Sequence, residues 1–422
     1  MEKKFYGYKA MIAGFFLMFG CYGSLSMYNI LMPDLLVRAN TDAVELAFGN
    51  SCSVFAGVVL GFTVAKAYKL MRPVMWLRLS IVGYLLVGCS AAFATSVYVC
   101  WAAWLIEGIL ITYGLYSGTT AYMSSWFIEK RGFAISFMIA GMTLGSAASG
   151  AAFGLFSPAL GIRTTAIGVL LVSGIIGIVA GFFMKSADRL GQKPLGWETV
   201  SSAEQTEETM EQPGMDFKAV LRHPAFYLGL LSIFVLCQAY NVQNNASLII
   251  TQAGYTLADA ALRTTLMTLL SGAMGLVAGR VLDKLGRIPY FVAPLVCLMT
   301  AFTCFYLGST SGAGLGLFTL GACLLGLALG FYASWPSQMA PMLFGTKDVA
   351  RMTPIFVIVF NISSFLRPFT IPVIAREDGN WERALLVAIG IVAAALVIGL
   401  AALVMTPYKP ALERSKKSEE VA

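Results

Sequence analysis

Gly279-Arg280-Val281-Leu282-Asp283-Lys284-Leu285-Gly286-Arg287 is a short, charged break between two long apolar runs, 262–282 and 288–308. Each run has the roughly 20 apolar residues that a membrane-crossing helix needs. The chemistry of the break is that of a tight loop. Gly279 lets neighbouring helices approach, Asp283 accepts hydrogen bonds from the start of an adjacent helix, and Gly286 permits the turn. Moving 218 residues towards the N-terminus carries Gly279, Asp283 and Lys284 onto Gly61, Ala65 and Lys66, which lie, with Lys69, in another break between apolar runs. The same shift carries Phe344 onto Trp126. A constant offset at two separate loops is the trace of a duplicated six-run unit.

Composition agrees with this reading. Of 422 residues, 58% are apolar and 12% charged, against about 25% charged in an ordinary soluble domain. A mean hydropathy of +0.76 excludes a water-soluble globule of this size, and the apolar content excludes a disordered chain. The net charge of +7 does not point to nucleic acid, because the Lys and Arg sit in the gaps between apolar runs. The eight cysteines stand singly inside those runs, with no CxxC or CxH spacing, so neither a metal site nor a disulfide framework is expected. His223 is the only histidine and lies outside the runs, which excludes a histidine-based site within the membrane. The N-terminal Met-Glu-Lys-Lys precedes an apolar run with no small-residue cleavage pattern, and an uncleaved first span is expected.

Twelve spans are predicted, near 9–32, 44–65, 74–94, 97–122, 133–156, 164–184, 226–250, 262–282, 288–308, 313–340, 352–375 and 384–406. Of the 29 Lys and Arg, 23 then fall on the side of the two termini. Five (Arg38, Arg163, Arg263, Arg376 and Arg383) fall on the other, and Arg367 lies within a span. By the positive-inside rule both termini are cytoplasmic, in a bacterial-type plasma (inner) membrane. Residues 185–222 carry Glu198, Glu204, Glu207, Glu208 and Glu211 among Ser, Thr, Gln and Pro. They read as a cytoplasmic linker between a six-helix half at 1–184 and a second at 223–408, with a tail at 409–422. The expected fold is an all-α membrane protein of twelve transmembrane helices in two pseudo-symmetric halves.

Residues 279–287 match G-x-x-x-D-(R/K)-x-G-R, and on that match the chain resembles the major facilitator superfamily over nearly its whole length. The resemblance implies that Gly279, Asp283, Lys284, Gly286 and Arg287 form a gate latch and take no part in substrate binding; Ala65 replaces the acid in the first copy. Trp126-Phe-Ile-Glu-Lys130-Arg131-Gly132-Phe-Ala134, leading to Ala140-Gly141 and Gly145, resembles the start of span five in monocarboxylate transporters and the oxalate/formate antiporter branch. No basic residue stands near Gly275 in span eight, where these relatives commonly carry an arginine. Gly141, Gly145 and Ser149 read as close helix packing, without the proline of the drug-exporter signature.

An ionisable side chain deep in a span costs at least ~2.5–3.5 kcal/mol. Glu107, near the middle of span four, is a candidate for proton coupling or substrate contact, because desolvation favours the neutral form of a carboxyl; a structural hydrogen bond between helices is the other reading. Arg367, about fifteen residues into span eleven and followed by Pro368 and Pro372, suits a carboxylate by bidentate pairing. Snorkelling to the outer interface is its alternative, while the prolines favour a broken helix that lines a cavity. Span seven ends with five amides, Gln238, Asn241, Gln243, Asn244 and Asn245, either substrate ligands or a frayed end in water. The resemblance puts spans one, four, seven and ten around the cavity. Tyr22, Ser24, Ser26, Tyr28 and Asn29, Tyr113 and Tyr116, and Tyr332, Ser334, Trp335 and Gln338 are lining candidates on that ground, although tyrosine also anchors helices at the interface.

No nucleotide-binding motif is present, so a gradient must supply the energy. The expected function is secondary active transport, by alternating access, of a small organic anion, a mono- or dicarboxylate, by proton symport or anion exchange. Arg367, Glu107, Tyr28, Asn29, Tyr113, Tyr116, Asn241, Tyr332 and Trp335 would bind it. The partners expected are that anion, a proton or counter-anion and the lipid bilayer, with no nucleic acid, no cofactor and no metal; the protein is expected to be a monomer and not an enzyme. The alternatives are a proton-coupled exporter of drug-like or amphipathic compounds, and a sensor or non-transporting scaffold, against which the short tails speak.

Overall fold

The computed structural model describes residues 5–61, 63–127, 131–195, 215–311, 314–332, 334–345 and 348–408. Almost all of them are helical, as apolar segments in lipid must be, since only a helix or a closed barrel satisfies every backbone N–H and C=O there. Eleven helices among the described residues are long and apolar enough to cross a membrane. A further one, Leu257–Leu285, is 29 residues long and more polar.

Span one is Gly7–Arg38, span two Ala43–Gly61 and span three Pro73–Phe93. Span four runs through Val97–Ile111, a π-helical turn Thr112–Tyr116 and Ser117–Ser124. Spans five and six are Arg131–Leu160 and Ile162–Phe183. Span seven is broken into Pro224–Ala239, Asn241–Asn244 and Ala246–Gln252. Leu257–Leu285 is span eight and Arg287–Thr310 span nine. Span ten is Leu315–Tyr332 with Trp335–Phe344; span eleven is Val349–Leu366, a 3₁₀ turn Arg367–Phe369 and Ile371–Asp378; span twelve is Glu382–Met405. Proline opens spans three and seven at the first helical turn, where its missing N–H costs nothing.

The chain divides into two compact units. Met1–Thr209 with Gly254–Thr268 form one; Met210–Ala253 with Leu269–Ala422 form the other. The first turns of span eight thus group with the N-terminal spans, where a Cβ on Gly154 would press on Leu262 at 2.8 Å. At the centre of this unit, span one lies against spans five and six. A Cβ on Gly141 or Gly145 would collide with the carbonyl of Phe15 or Phe19, and one on Gly20 would lie 2.7 Å from the Gly177 nitrogen. These are small-residue contacts in which backbones touch.

Residues 196–214 of the predicted linker, and the tail from 409, lie outside the described residues. The linker's described ends are fixed by backbone bonds. Leu195 N–H donates to the Trp126 carbonyl at 2.8 Å, and Met215 N–H to the Phe344 carbonyl at 2.9 Å. Trp126 and Phe344 are the pair related by the 218-residue shift.

Candidate functional site

Four of the predicted residues, Asn241, Tyr332, Trp335 and Arg367, come together in the C-terminal unit where spans seven, ten and eleven are all interrupted. Span eleven leaves the α-helix at Arg367, and Thr370 takes φ −116°, ψ −98° before the chain resumes at Ile371. Pro368 and Pro372 explain the break, since neither donates to a preceding carbonyl and each crowds the turn before it. The Arg367 carbonyl accepts the Thr370 backbone N–H at 3.3 Å in the 3₁₀ turn and, in addition, the Asn241 side-chain N–H at 2.8 Å, and it lies 2.9 Å from the Thr370 hydroxyl. Span seven answers with its own break at Tyr240.

Around this point the polar groups interlock. Gln238 donates to the Ser363 carbonyl (3.0 Å) and hydroxyl (2.5 Å), while the Thr370 hydroxyl donates to the Gln238 side-chain oxygen at 3.1 Å. The Cys237 thiol lies 3.1 Å from the Tyr332 hydroxyl and 3.2 Å from that of Ser364. Asn245 donates to the Asn241 carbonyl at 2.9 Å. Asn241 is 2% and Asn245 0% exposed, so a frayed, hydrated helix end is not what these two amides form. Aromatic rings complete the wall. Tyr240 stacks on Tyr332 with centroids 3.4 Å apart and planes 23° off parallel, and Tyr332 meets Trp335 edge-on at 6.4 Å.

Three buried polar atoms here have no hydrogen-bond partner among the described residues: the Tyr240 hydroxyl, the Asn245 side-chain oxygen and the Trp335 indole nitrogen. Leaving such groups unmade costs about 1–3 kcal/mol each. The Arg367 guanidinium is half-buried, and among the described residues its Nε meets the Ser364 carbonyl, at 3.4 Å. No carboxylate pairs with it among the described residues.

The other predicted residues lie in the N-terminal unit, in separate surroundings. Glu107 is 2% exposed and accepts a 2.6 Å hydrogen bond from the Ser53 hydroxyl of span two. Gly83 of span three lies so close that a Cβ would come within 2.9 Å of the Glu107 Cα. Tyr28 is packed edge-on against Trp104 at 5.0 Å, its hydroxyl donating to the Leu46 carbonyl at 3.1 Å. Asn29 is half-buried on span one. Tyr113 belongs to the π-helical turn and shares a 2.7 Å hydrogen bond with Thr63 at the loop after span two. The Tyr116 side chain lies outside the described residues.

In the predicted latch, Gly286 has φ +88°, a conformation that favours glycine and turns the chain from span eight into span nine. Arg287 is buried and donates to the Tyr408 carbonyl at 3.0 Å; Lys284 is exposed. Nothing is described beyond the backbone at Gly279 and Asp283. In the span-five motif the Trp126 indole donates to the Lys185 carbonyl at 3.0 Å, Glu129 and Lys130 lie outside the described residues, and Arg131 is described by its backbone alone.

Ser53, Cys237, Ser363, Ser364 and Thr370 escape a reading of the sequence, since hydroxyls in spans commonly bond their own helix. The one signal is that Ser363 and Ser364 stand a turn before Arg367.

Comparison with known proteins places the chain. The Major Facilitator Superfamily profile matches residues 14–313 and 231–422. No curated protein matches significantly. Among solved structures, a bacterial homologue of the human lysosomal transporter Spinster, in an inward-facing and occupied conformation, superposes with TM-score 0.67 at 13% identity, over 97% of this chain and 100% of that one. The nucleoside transporter NupG gives 0.66 at 15% identity, covering 96% and 99%. A D-xylose–proton symporter gives 0.67 at 14%, covering 97% and 98%. At such identities the likeness is one of fold. The family match rests on the sequence itself, and by it this multi-pass membrane protein, a transporter and not an enzyme, belongs to the Major Facilitator Superfamily.

Proposed function

We propose that the protein is a secondary active transporter that moves a small organic anion, a mono- or dicarboxylate, by alternating access, with proton symport or anion exchange as the coupling. The observation that carries the reading is the Arg367 guanidinium, held inside a span at a helix break with no carboxylate to pair it among the described residues. An intramembrane charge is retained only where something offsets its cost, and a guanidinium offers a carboxylate two parallel hydrogen bonds. Tyr240, Asn245 and Trp335 supply further hydrogen-bonding atoms in the same unit. Glu107 and its Ser53 donor supply the candidate proton site. The resemblance of residues 126–145 to the oxalate/formate and monocarboxylate branch supports the same substrate class. The excess of Lys and Arg on one side supports cytoplasmic termini in a bacterial-type plasma membrane.

The decisive experiment is uptake of radiolabelled mono- and dicarboxylates into proteoliposomes. Arg367→Gln is expected to lower uptake at least tenfold, and Arg367→Lys, which keeps charge but loses the planar fork, to raise the half-saturating concentration. Carboxylate uptake that survives Arg367→Ala with unchanged affinity overturns the reading. A second reading is favoured by the unpartnered hydroxyl, amide and indole atoms. They suit an uncharged hydroxylated substrate, the class to which the nucleosides and D-xylose named for two similar structures belong. Uptake of such compounds, indifferent to Arg367→Gln, would select it.

A further inference from the structure

Spans one and six touch at Gly20 and Gly177, and a groove of about 410 Å³ lies between them towards the N-terminal end of span one. Its walls are Ile12 and Phe16 on span one and Val179 and Phe183 on span six. Its floor is Ala13 and Ala180, small and buried, whereas all four wall residues are exposed. The groove ends at Tyr6, whose hydroxyl donates to the Phe183 carbonyl at 2.8 Å. From Tyr6 to Phe16 is ten residues, about 15 Å of helix. That is half of the ~30 Å hydrocarbon core, the depth of one leaflet.

The charge at this end is basic. Lys9 lines the groove, and the Lys185 ammonium stands 5.7 Å above the Tyr6 ring. Neither lysine pairs with a carboxylate among the described residues. An apolar channel one leaflet long, carrying at its headgroup end two ammonium groups that no carboxylate among the described residues pairs, is complementary to an anionic lipid. We infer that the groove binds an anionic phospholipid, one acyl chain lying along Ala13 and Ala180 and the phosphodiester meeting Lys9 and Lys185. A zwitterionic lipid fills the channel equally well but brings its own ammonium to the lysines, so the selectivity lies in the net charge of the headgroup. This inference does not depend on which substrate the transporter carries.

Native mass spectrometry tests it, on the full chain in detergent with equimolar phosphatidylglycerol and phosphatidylcholine of matched chains. Retention of phosphatidylglycerol is expected to win by on the order of thirtyfold, about fivefold for each lysine. Lys9→Gln should remove about fivefold, and Lys9→Gln with Lys185→Gln nearly all of the preference. Val179→Trp, on the exposed rim, should lower retention of both lipids. Equal retention of the two lipids by the wild type overturns the inference. So does an anionic preference that survives the double substitution, and so does displacement of the lipid by glycerol 3-phosphate alone, which would mean that the headgroup binds without the groove.

Discussion

Asn241 does the work that a continuous helix would otherwise do for itself. When span eleven breaks at Arg367, its carbonyl is left with a 3.3 Å bond from the Thr370 N–H and is met by an amide from span seven at 2.8 Å. Asn241→Ala should therefore cost about 0.5–2 kcal/mol, the range of hydrogen bonds between helices in membranes, and lower the thermal midpoint in detergent. Asn241→Asp, which offers no N–H, should do the same. Glu107 separates two roles that one substitution would confuse. Glu107→Gln keeps an oxygen for the Ser53 hydroxyl but cannot exchange a proton, so the thermal midpoint should hold while uptake loses its dependence on an imposed pH gradient. Glu107→Ala should lower both. At this scale the sequence was informative about charge and silent about hydroxyls. Arg367, Glu107 and Asn241 stand out because such groups are costly in lipid. Ser53, Ser363 and Thr370 do not, because a hydroxyl in a span is satisfied by its own helix as readily as by a neighbour.

Among the elements, the spans are legible because lipid imposes one rule on them, a run of apolar residues long enough to cross. Their ends are less so. The helices of spans one and eight continue to Arg38 and Leu285, beyond the apolar runs at 9–32 and 262–282, because polar residues extend a helix into the interface at no cost. The interruption in span eleven is written in Pro368 and Pro372, whereas the π-helical turn of span four has no comparable mark. The packing of span one on span five is written in glycine. Gly145→Val should be destabilising by about 1–3 kcal/mol or more, since its side chain would meet the Phe19 backbone. Gly168→Ala, where a Cβ meets nothing within 4 Å, should leave the thermal midpoint unchanged.

For the whole molecule, the distribution of Lys and Arg makes a prediction independent of any site. A cysteine in place of Lys284, in the last turn of span eight, should react with a membrane-impermeant maleimide only after cells are opened. One in place of Arg383, in the first turn of span twelve, should react in intact cells. The reverse result would invert the topology. The twofold plan is legible from the 218-residue shift alone. What that shift does not disclose is that Trp126 and Phe344 are the two residues whose carbonyls receive Leu195 and Met215, because a main-chain bond leaves no mark in side-chain identity.

The same shift, applied to the π-helical turn Thr112–Tyr116, lands on 330–334. There the first helix of span ten stops at Tyr332, Ser334 sits in a turn, and a new helix begins at Trp335. The two irregularities share no residue type that would force both, yet they occupy one register in the two copies. From Gly61 to Trp126 and from Gly279 to Phe344 the two halves have the same number of residues, so the stretches that hold spans four and ten share one register. Each half therefore interrupts its fourth span at the same point of the register, although the side chains around that point differ.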